Sequence, residues 1–323
     1  MSRQVAVADV GGTHARFALA QIEGARVISL GQAVKLHTSD HASFQLAWEE
    51  FGRREKIDLP NELALSFAGP VGGEVLKLTN NPWVIRPSLM KERLGVERFT
   101  IVNDFGAVGY AVATLPDQDF RHVCGPERPL PSEGVTSIVG PGTGLGVAAL
   151  LRKRDHYEVI ETEGGHVDFA PLDNLEDQVL AHLRRNFRRV SIERLVSGRG
   201  LWNIYDALAT LEGRDTEFHD EKELWTAALG NADSLANAAL DRFCLTLGAV
   251  AGDMALAQGA NAVVIAGGLG LRLVDHLPRS GFSDRFIAKG RFERRMDDMP
   301  VKVITYPEPG LYGAAAAFAK EHG

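Results

Sequence analysis

The sequence predicts an α/β fold of two domains with duplicated architecture around an interdomain cleft. Three observations predict it. Apolar β-forming runs are interspersed with helical patterns, and 323 residues exceed what a single core usually organises. A glycine-rich turn between two such runs also occurs twice, as Asp9-Val10-Gly11-Gly12-Thr13 and as Gly140-Pro141-Gly142-Thr143-Gly144-Leu145-Gly146.

Each turn joins strand to strand. Residues 5–7 and 17–19 flank the first, and 137–139 and 147–150 flank the second. Glycine lets backbone N–H groups approach an anion because no Cβ intervenes, and threonine adds a hydroxyl donor. One such hairpin is usually only a hairpin. Two suggest two halves that hold one nucleotide from opposite sides.

The remaining elements follow in order. Strands are expected over 5–8, 17–21 and 26–33, a helix over 43–54, and a buried strand over 63–67 that ends in a Gly69-Pro70 turn and an edge hairpin through Gly72-Gly73. A strand over 99–102 runs into Asn103-Asp104 and a helix over 107–114. Proline-rich, charged sequence over 116–131 marks the domain boundary. Beyond the second turn lie Glu163-Gly164-Gly165-His166, helical patterns over 175–187, 192–211 and 234–258, a short strand over 263–266 entering Gly267-Gly268, and an alanine-rich helix over 310–320. The expected domains are 1–115 with 307–323, and 116–306.

Composition narrows the function. Hydrophobic residues at 45% and charged residues at 24% are those of a soluble globular protein. A net charge of -7 argues against a broad nucleic-acid face, and Arg184, Arg185, Arg188 and Arg189 read as a solvated helix side. Cys124 and Cys244 are isolated, which supports neither a disulfide framework nor a cysteine zinc site. No apolar run has membrane-spanning length, and the first strand starts too early for a leader or a preceding DNA-binding domain, so a cytoplasmic protein with no membrane or nucleic-acid partner is expected.

The P-loop, GxGxxG, HExxH, GxSxG and kinase HRD patterns are absent. What is present is an ordered series: Ala8-Asp9-Val10-Gly11-Gly12-Thr13, Val102-Asn103-Asp104-Phe105, Gly142-Thr143-Gly144-Leu145-Gly146, Glu163-Gly164-Gly165-His166-Val167-Asp168-Phe169-Ala170, Glu193-Arg194 with Ser197-Gly198, and Ala266-Gly267-Gly268. This series resembles the bacterial glucokinase family, within the sugar-kinase, heat-shock-protein and actin superfamily, from Asp9 to Gly313. The absence of a cysteine motif after Gly165-His166 places the resemblance in the zinc-free group, apart from the ROK (repressor/kinase) proteins. It implies actin-like, ribonuclease-H-like domains, ATP as donor, Mg²⁺, D-glucose as substrate and a homodimer.

On that resemblance Asp104 is the general base that takes the proton of the sugar hydroxyl. The residues alone favour Asn103-Asp104 as a cap of the helix that follows, and the resemblance reverses that preference. Asn103, Asp104, Glu163, His166 and Glu193 are the implied readers of the sugar, although Glu163 and His166 also suit a turn and Glu193 an exposed helix charge. Ala8, Asp9, Val10, Gly11, Gly12 and Thr13 would form the first phosphate turn, with Asp9 holding Mg²⁺ through water. Gly142, Thr143 and Gly144 would cradle phosphate from the other side, and Gly267 and Gly268 would seat the adenosine. Asn80 and Asn81 suit either closure over the sugar or a turn. His14 and Arg199 depart from the family pattern, which has asparagine and often proline there. A kinase for another hexose or an amino sugar is the nearest alternative, and a sugar sensor without turnover the next. Closure of the cleft over sugar is expected, because water competes as acceptor.

Overall fold

The computed structural model describes residues 2–78, 81–154 and 156–323. The chain forms two compact units, Met1–Leu115 with Tyr306–Gly323, and Pro116–Thr305.

In the first unit, β1 (Arg3–Val10) and β2 (His14–Glu23) form an antiparallel hairpin around the first glycine turn, extended by β3 (Arg26–Leu30) and β4 (Val34–His37), both paired with β2. After α1 (Phe44–Glu55), β5 (Glu62–Phe67) adds in parallel to β1. The short pair β6 (Leu76–Lys77) and β7 (Val84–Ile85) and α2 (Met90–Leu94) lead to β8 (Arg98–Asn103), parallel to β5, and then α3 (Asp104–Thr114). The sheet order is β3-β2-β1-β5-β8. Strand alternation sends Ala6, Ala8 and Val10 toward Phe17, Trp48 and Phe51 under α1. Val5 and Val7 face Leu311, Ala314, Ala315 and Phe318 of the C-terminal helix (Pro309–His322).

The second unit opens with β9 (Phe120–Cys124). The hairpin of β10 (Gly134–Pro141) and β11 (Leu145–Lys153) continues antiparallel into β12 (His156–Thr162). Helices α4 (Asn174–Leu183), α5 (Gly198–Glu212), α6 (Glu221–Leu229) and α7 (Ser234–Ala257) follow, then β13 (Ala262–Ile265), α8 (Gly267–Arg272), α9 (Phe282–Ile287), α10 (Glu293–Asp297) and β14 (Val301–Ile304). Strand order is β12-β11-β10-β13-β14-β9, with β10, β13 and β14 parallel. The path β12-β11-β10-β13-β14 repeats β3-β2-β1-β5-β8 in order and direction, so the duplication extends from the two turns to two whole sheets. Among the described residues no helix is long and apolar enough to cross a membrane.

Several elements differ from the sequence expectation. Gly72 and Gly73 lie in bends ahead of a different pairing, Leu76 with Ile85 and Lys77 with Val84, because buried Leu76 and Ile85 hold those strands together. The expected helix over 192–211 is broken: Ser197 caps a new start by accepting the Gly200 N–H at 3.1 Å. The boundary segment contains β9, whose buried Phe120 and Val123 dock it beside β14. The strand expected over 26–33 stops at Leu30 and resumes as β4.

Candidate active site

In the first unit the parallel register aligns Asp9 with Ser66 and Phe67 with Asn103, so Asp9, Ser66, Asn103 and Asp104 gather at the carboxyl ends of β1, β5 and β8. Open α/β sheets present their ligand sites there. Asp9 is held through both oxygens: Oδ1 accepts from Ser66 Oγ at 2.8 Å and Oδ2 from Arg16 Nη1 at 3.1 Å. The same guanidinium stands 3.7 Å from Glu308 Oε2. Burial pushes the Glu308 carboxyl above its ordinary range, with Arg16 acting against it and Asp9 adding to it.

The first turn is clamped from outside. Buried Thr38 donates its hydroxyl to the Gly12 carbonyl at 2.7 Å and its N–H to the Thr13 carbonyl at 3.1 Å. Asn81 Nδ2 donates to the same Gly12 carbonyl at 3.3 Å, and Asn81 Oδ1 accepts the Trp83 N–H at 2.8 Å. Asn81 is therefore a turn-maker that also touches the first glycine turn; Asn80 lies outside the described residues. Ala8 and Val10 are buried in β1 and meet the turn through backbone only. His14 closes the turn by accepting the Gly11 N–H at 3.0 Å, and its ring lies 4.5 Å from that of His37. Partial burial, then Lys35, His37 and Arg16, hold the His14 pKa below the ordinary histidine value.

Asn103 caps α3. Its Oδ1 accepts the Phe105 and Gly106 N–H groups at 2.9 and 3.1 Å, and its Nδ2 donates to the Gly69 carbonyl at 3.2 Å. Asp104 is the exposed first residue of that helix, with Oδ1 2.8 Å from the Phe105 N–H.

In the second unit the turn at 142–144 is closed by the Gly142 N–H donating to the Gly144 carbonyl at 2.8 Å. The Gly198 N–H at the start of α5 donates to the Gly142 carbonyl, also at 2.8 Å. The Glu163-Gly164-Gly165-His166 loop lies directly against this turn: a Cβ on Gly165 would stand 2.0 Å from the Leu145 carbonyl oxygen, so only glycine permits the approach. Arg189 fixes the loop by donating to the His166 carbonyl at 2.7 Å and to the Asp168 carboxylate. The side chains of Glu163 and His166 are 80% and 56% exposed and 3.8 Å apart. Glu193 reaches the turn from the other side, its Oε2 accepting the Leu145 N–H at 2.9 Å. At the end of β13 the Ala266 N–H donates to the Val139 carbonyl at 2.9 Å. Gly267, at φ +75°, lies where a Cβ would be 2.5 Å from the Pro141 carbonyl oxygen. Gly268 is exposed, and a Cβ there would meet open space. Arg199 pairs with Glu221 at 3.2 Å and sits 5.3 Å from the Trp202 ring centroid.

The second unit thus brings Gly142, Thr143, Gly144, Glu163, Gly165, Glu193 and Gly267 around one turn, while the first gathers Asp9 with its turn and Asn103-Asp104. Thr38, Ser66, Arg16 and Glu308 were not singled out from sequence, and Arg189, expected on a solvated helix side, lies past the end of α4 at Leu183 and holds the Glu163–His166 loop instead. Among the described residues no group of three or more His, Cys, Asp or Glu side chains could hold a metal directly. A lone carboxylate already hydrogen-bonded through both oxygens suits a hard cation that keeps its waters, and Asp9 is of that kind.

Two sheets of the same order, each with a glycine turn in its leading hairpin, make the actin-like fold, and the chain's relatives put it among the sugar kinases that use it. The chain belongs to the glucokinase family, whose model, described as Glucokinase, matches residues 6–321. The glucokinase of Zymomonas mobilis subsp. mobilis is 59% identical over 319 residues, covering 99% of this chain and 98% of that protein. The crystal structure of glucokinase from an Antarctic psychrotroph has a TM-score of 0.85 at 31% identity, covering 98% of each chain. A ROK family glucokinase from Streptomyces griseus, solved in complex with glucose and AMPPNP, has the same fold at a TM-score of 0.62 and 18% identity, covering 97% of this chain and 98% of that one. The chain is an enzyme, a kinase acting on glucose.

Proposed function

We propose that the enzyme transfers the γ-phosphoryl group of ATP to the 6-hydroxyl of D-glucose, with Asp104 as general base. One observation carries the assignment: Asn103 is the N-cap of α3 and accepts both the Phe105 and Gly106 N–H groups, so the Asp104 carboxylate, which shares the Phe105 N–H, is not the capping group and sits exposed just past the carboxyl end of β8. The hydroxyl proton passes to Asp104 as O6 bonds to the γ-phosphorus and the bond to the bridging oxygen breaks, giving glucose 6-phosphate and ADP. Asp104 then returns the proton to solvent.

Asn103, Glu163, His166 and Glu193 read the sugar hydroxyls, because a site that pairs each hydroxyl rejects analogues lacking one. The backbone of Ala8, Val10, Gly11, Gly12 and Thr13 and the turn Gly142-Thr143-Gly144 receive the phosphates, and Gly267 and Gly268 receive the adenosine. Asp9 holds hydrated Mg²⁺, which when bound neutralises phosphate charge. The AMPPNP and glucose in the Streptomyces griseus neighbour support this choice of donor and acceptor. A cytoplasmic homodimer completes the reading, and light scattering tests its mass. A coupled assay over glucose, mannose, fructose and N-acetylglucosamine with ATP tests the whole: the highest kcat/KM is expected for glucose, and glucose binding without turnover would leave a sensor instead.

A further inference from the structure

Glu193 sits on a short 3-10 turn, Ile192–Arg194, whose backbone is tied to the sugar loop. The Ile192 N–H donates to the Val167 carbonyl at 2.9 Å, and residues 168 and 191 form a β-bridge. The turn is pinned from below by Asn203 Nδ2, which donates to the Arg194 carbonyl at 2.7 Å, and by the Arg194 guanidinium stacked 4.2 Å from the Phe187 ring centroid. From this anchored position the half-buried carboxylate reaches the other way, into the phosphate turn. Its Oε2 accepts the Leu145 N–H at 2.9 Å and lies 2.5 Å from where a Cβ on Gly144 would stand. The missing side chain at Gly144 is therefore what admits Glu193. Among the described residues its second oxygen, Oε1, has no hydrogen-bond partner.

We infer that Glu193 couples the two substrates: Oε1 takes a sugar hydroxyl while Oε2 fixes the Leu145 N–H and with it the shape of the phosphate turn. This rests on the reading of Glu193 as a sugar reader. A carboxylate accepts at both oxygens at once, so a hydroxyl donated to Oε1 orients the group and holds Oε2 on Leu145. Sugar binding then prepares the turn for phosphate, and phosphate binding prepares Glu193 for sugar. By linkage the factor must be the same in both directions. Glu193 is in this respect a positioning residue for the nucleotide, in addition to reading the sugar.

The test is a binding cycle on the intact enzyme: the Kd of glucose with and without Mg-AMPPNP, and the Kd of Mg-AMPPNP with and without glucose. The wild type should show each ligand tightening the other by about 5- to 150-fold, the usual span of coupling between sites. In Glu193→Ala glucose should weaken by about tenfold or more, as expected on losing a hydrogen bond to a charged group, and the coupling factor should fall to about 1. In Glu193→Gln the amide oxygen can still accept from Leu145 but the group no longer accepts at both positions, so the coupling factor should fall below that of the wild type. Gly144→Ala keeps the carboxylate but moves it off Leu145, so the coupling factor should fall to about 1 whether or not each ligand alone binds more weakly; it also serves if Glu193→Ala does not fold. Weakened glucose binding with wild-type coupling in Glu193→Ala overturns the inference but leaves Glu193 a sugar reader. Unchanged glucose affinity in that variant overturns the sugar-reader assignment as well. A wild-type coupling factor of 1 overturns the inference outright.

Discussion

Arg16 and Asp9 face each other across the first hairpin, in register, with Nη1 3.1 Å from Oδ2. Ser66 takes the other Asp9 oxygen, so the carboxylate has one orientation, and Glu308 steadies Arg16 from the C-terminal helix side. Hydrogen-bond partners of metal-holding groups typically alter metal affinity by about 10- to 100-fold when removed. Arg16→Gln should therefore raise the free Mg²⁺ needed for half-maximal activity by about tenfold while leaving glucose affinity unchanged. A Mg²⁺ titration at saturating ATP reads this. An unshifted curve would reduce Arg16 to a structural ion pair.

Thr38 lies 26 residues from Gly12 in sequence, yet its hydroxyl supports the Gly12 carbonyl. Thr38→Val keeps the shape and removes the stronger of the two donors to a part-buried carbonyl that still accepts from Asn81, at a cost of about 0.5–1.5 kcal/mol. Thermal denaturation should show the loss of stability, and kinetics should show a raised KM for ATP with the KM for glucose unchanged. Equal changes in both KM values would mean that the variant disturbs more than the phosphate turn.

His14 titrates below the ordinary histidine range because burial and the charges of Lys35, His37 and Arg16 disfavour its protonated form. The sign follows: above about pH 6.5, the unfolded value, His14 is neutral in both states and costs nothing. As pH falls below it, the unfolded chain takes the proton first and stability is lost. His14→Asn should remove that part of the loss, and with it the part of the ATP KM that varies below about pH 6.5. Superimposable profiles for the two proteins would separate His14 from the phosphate turn.

Burial pushes the Cys124 thiol up to about 11 and the Cys244 thiol up to about 12. The thiolate is the reactive form, so an aromatic disulfide reagent at pH 8 should label neither cysteine rapidly in the native enzyme and both after unfolding. Rapid labelling of the native form with loss of activity would contradict the burial.

Much of this was readable in the chain because it is local. Both glycine turns sit between β-forming runs, and each hairpin pairs residues equidistant from its turn: Asp9 with Arg16, and Gly140 with Gly146. The Asp9–Arg16 contact was thus available from symmetry alone, although Arg16 was not singled out. Ser197 carried its own signal, a capping residue followed by glycines, which the apolar periodicity of 192–211 concealed. Other contacts had no local signal. Thr38 and Ser66 reach the first turn from 26 and 57 residues away. The strand β14 is only four residues long and contains Lys302, a buried cation that lies in a strand because its ammonium pairs with Asp117. Whether Asn103 or Asp104 caps α3 was likewise open in sequence, since both residues cap well; backbone geometry assigns the cap to Asn103.

That division of labour makes Asp104→Asn the most direct test of the proposed chemistry. The amide preserves size and hydrogen bonding but cannot accept the proton of the sugar hydroxyl. Because Asn103 holds the cap, stability should change little. With Asp104 as base, kcat should fall by about 10² to 10⁴, the usual contribution of general acid–base catalysis, while glucose affinity changes much less. A folded, glucose-binding Asp104→Asn enzyme that turns over near the wild-type rate would contradict the account.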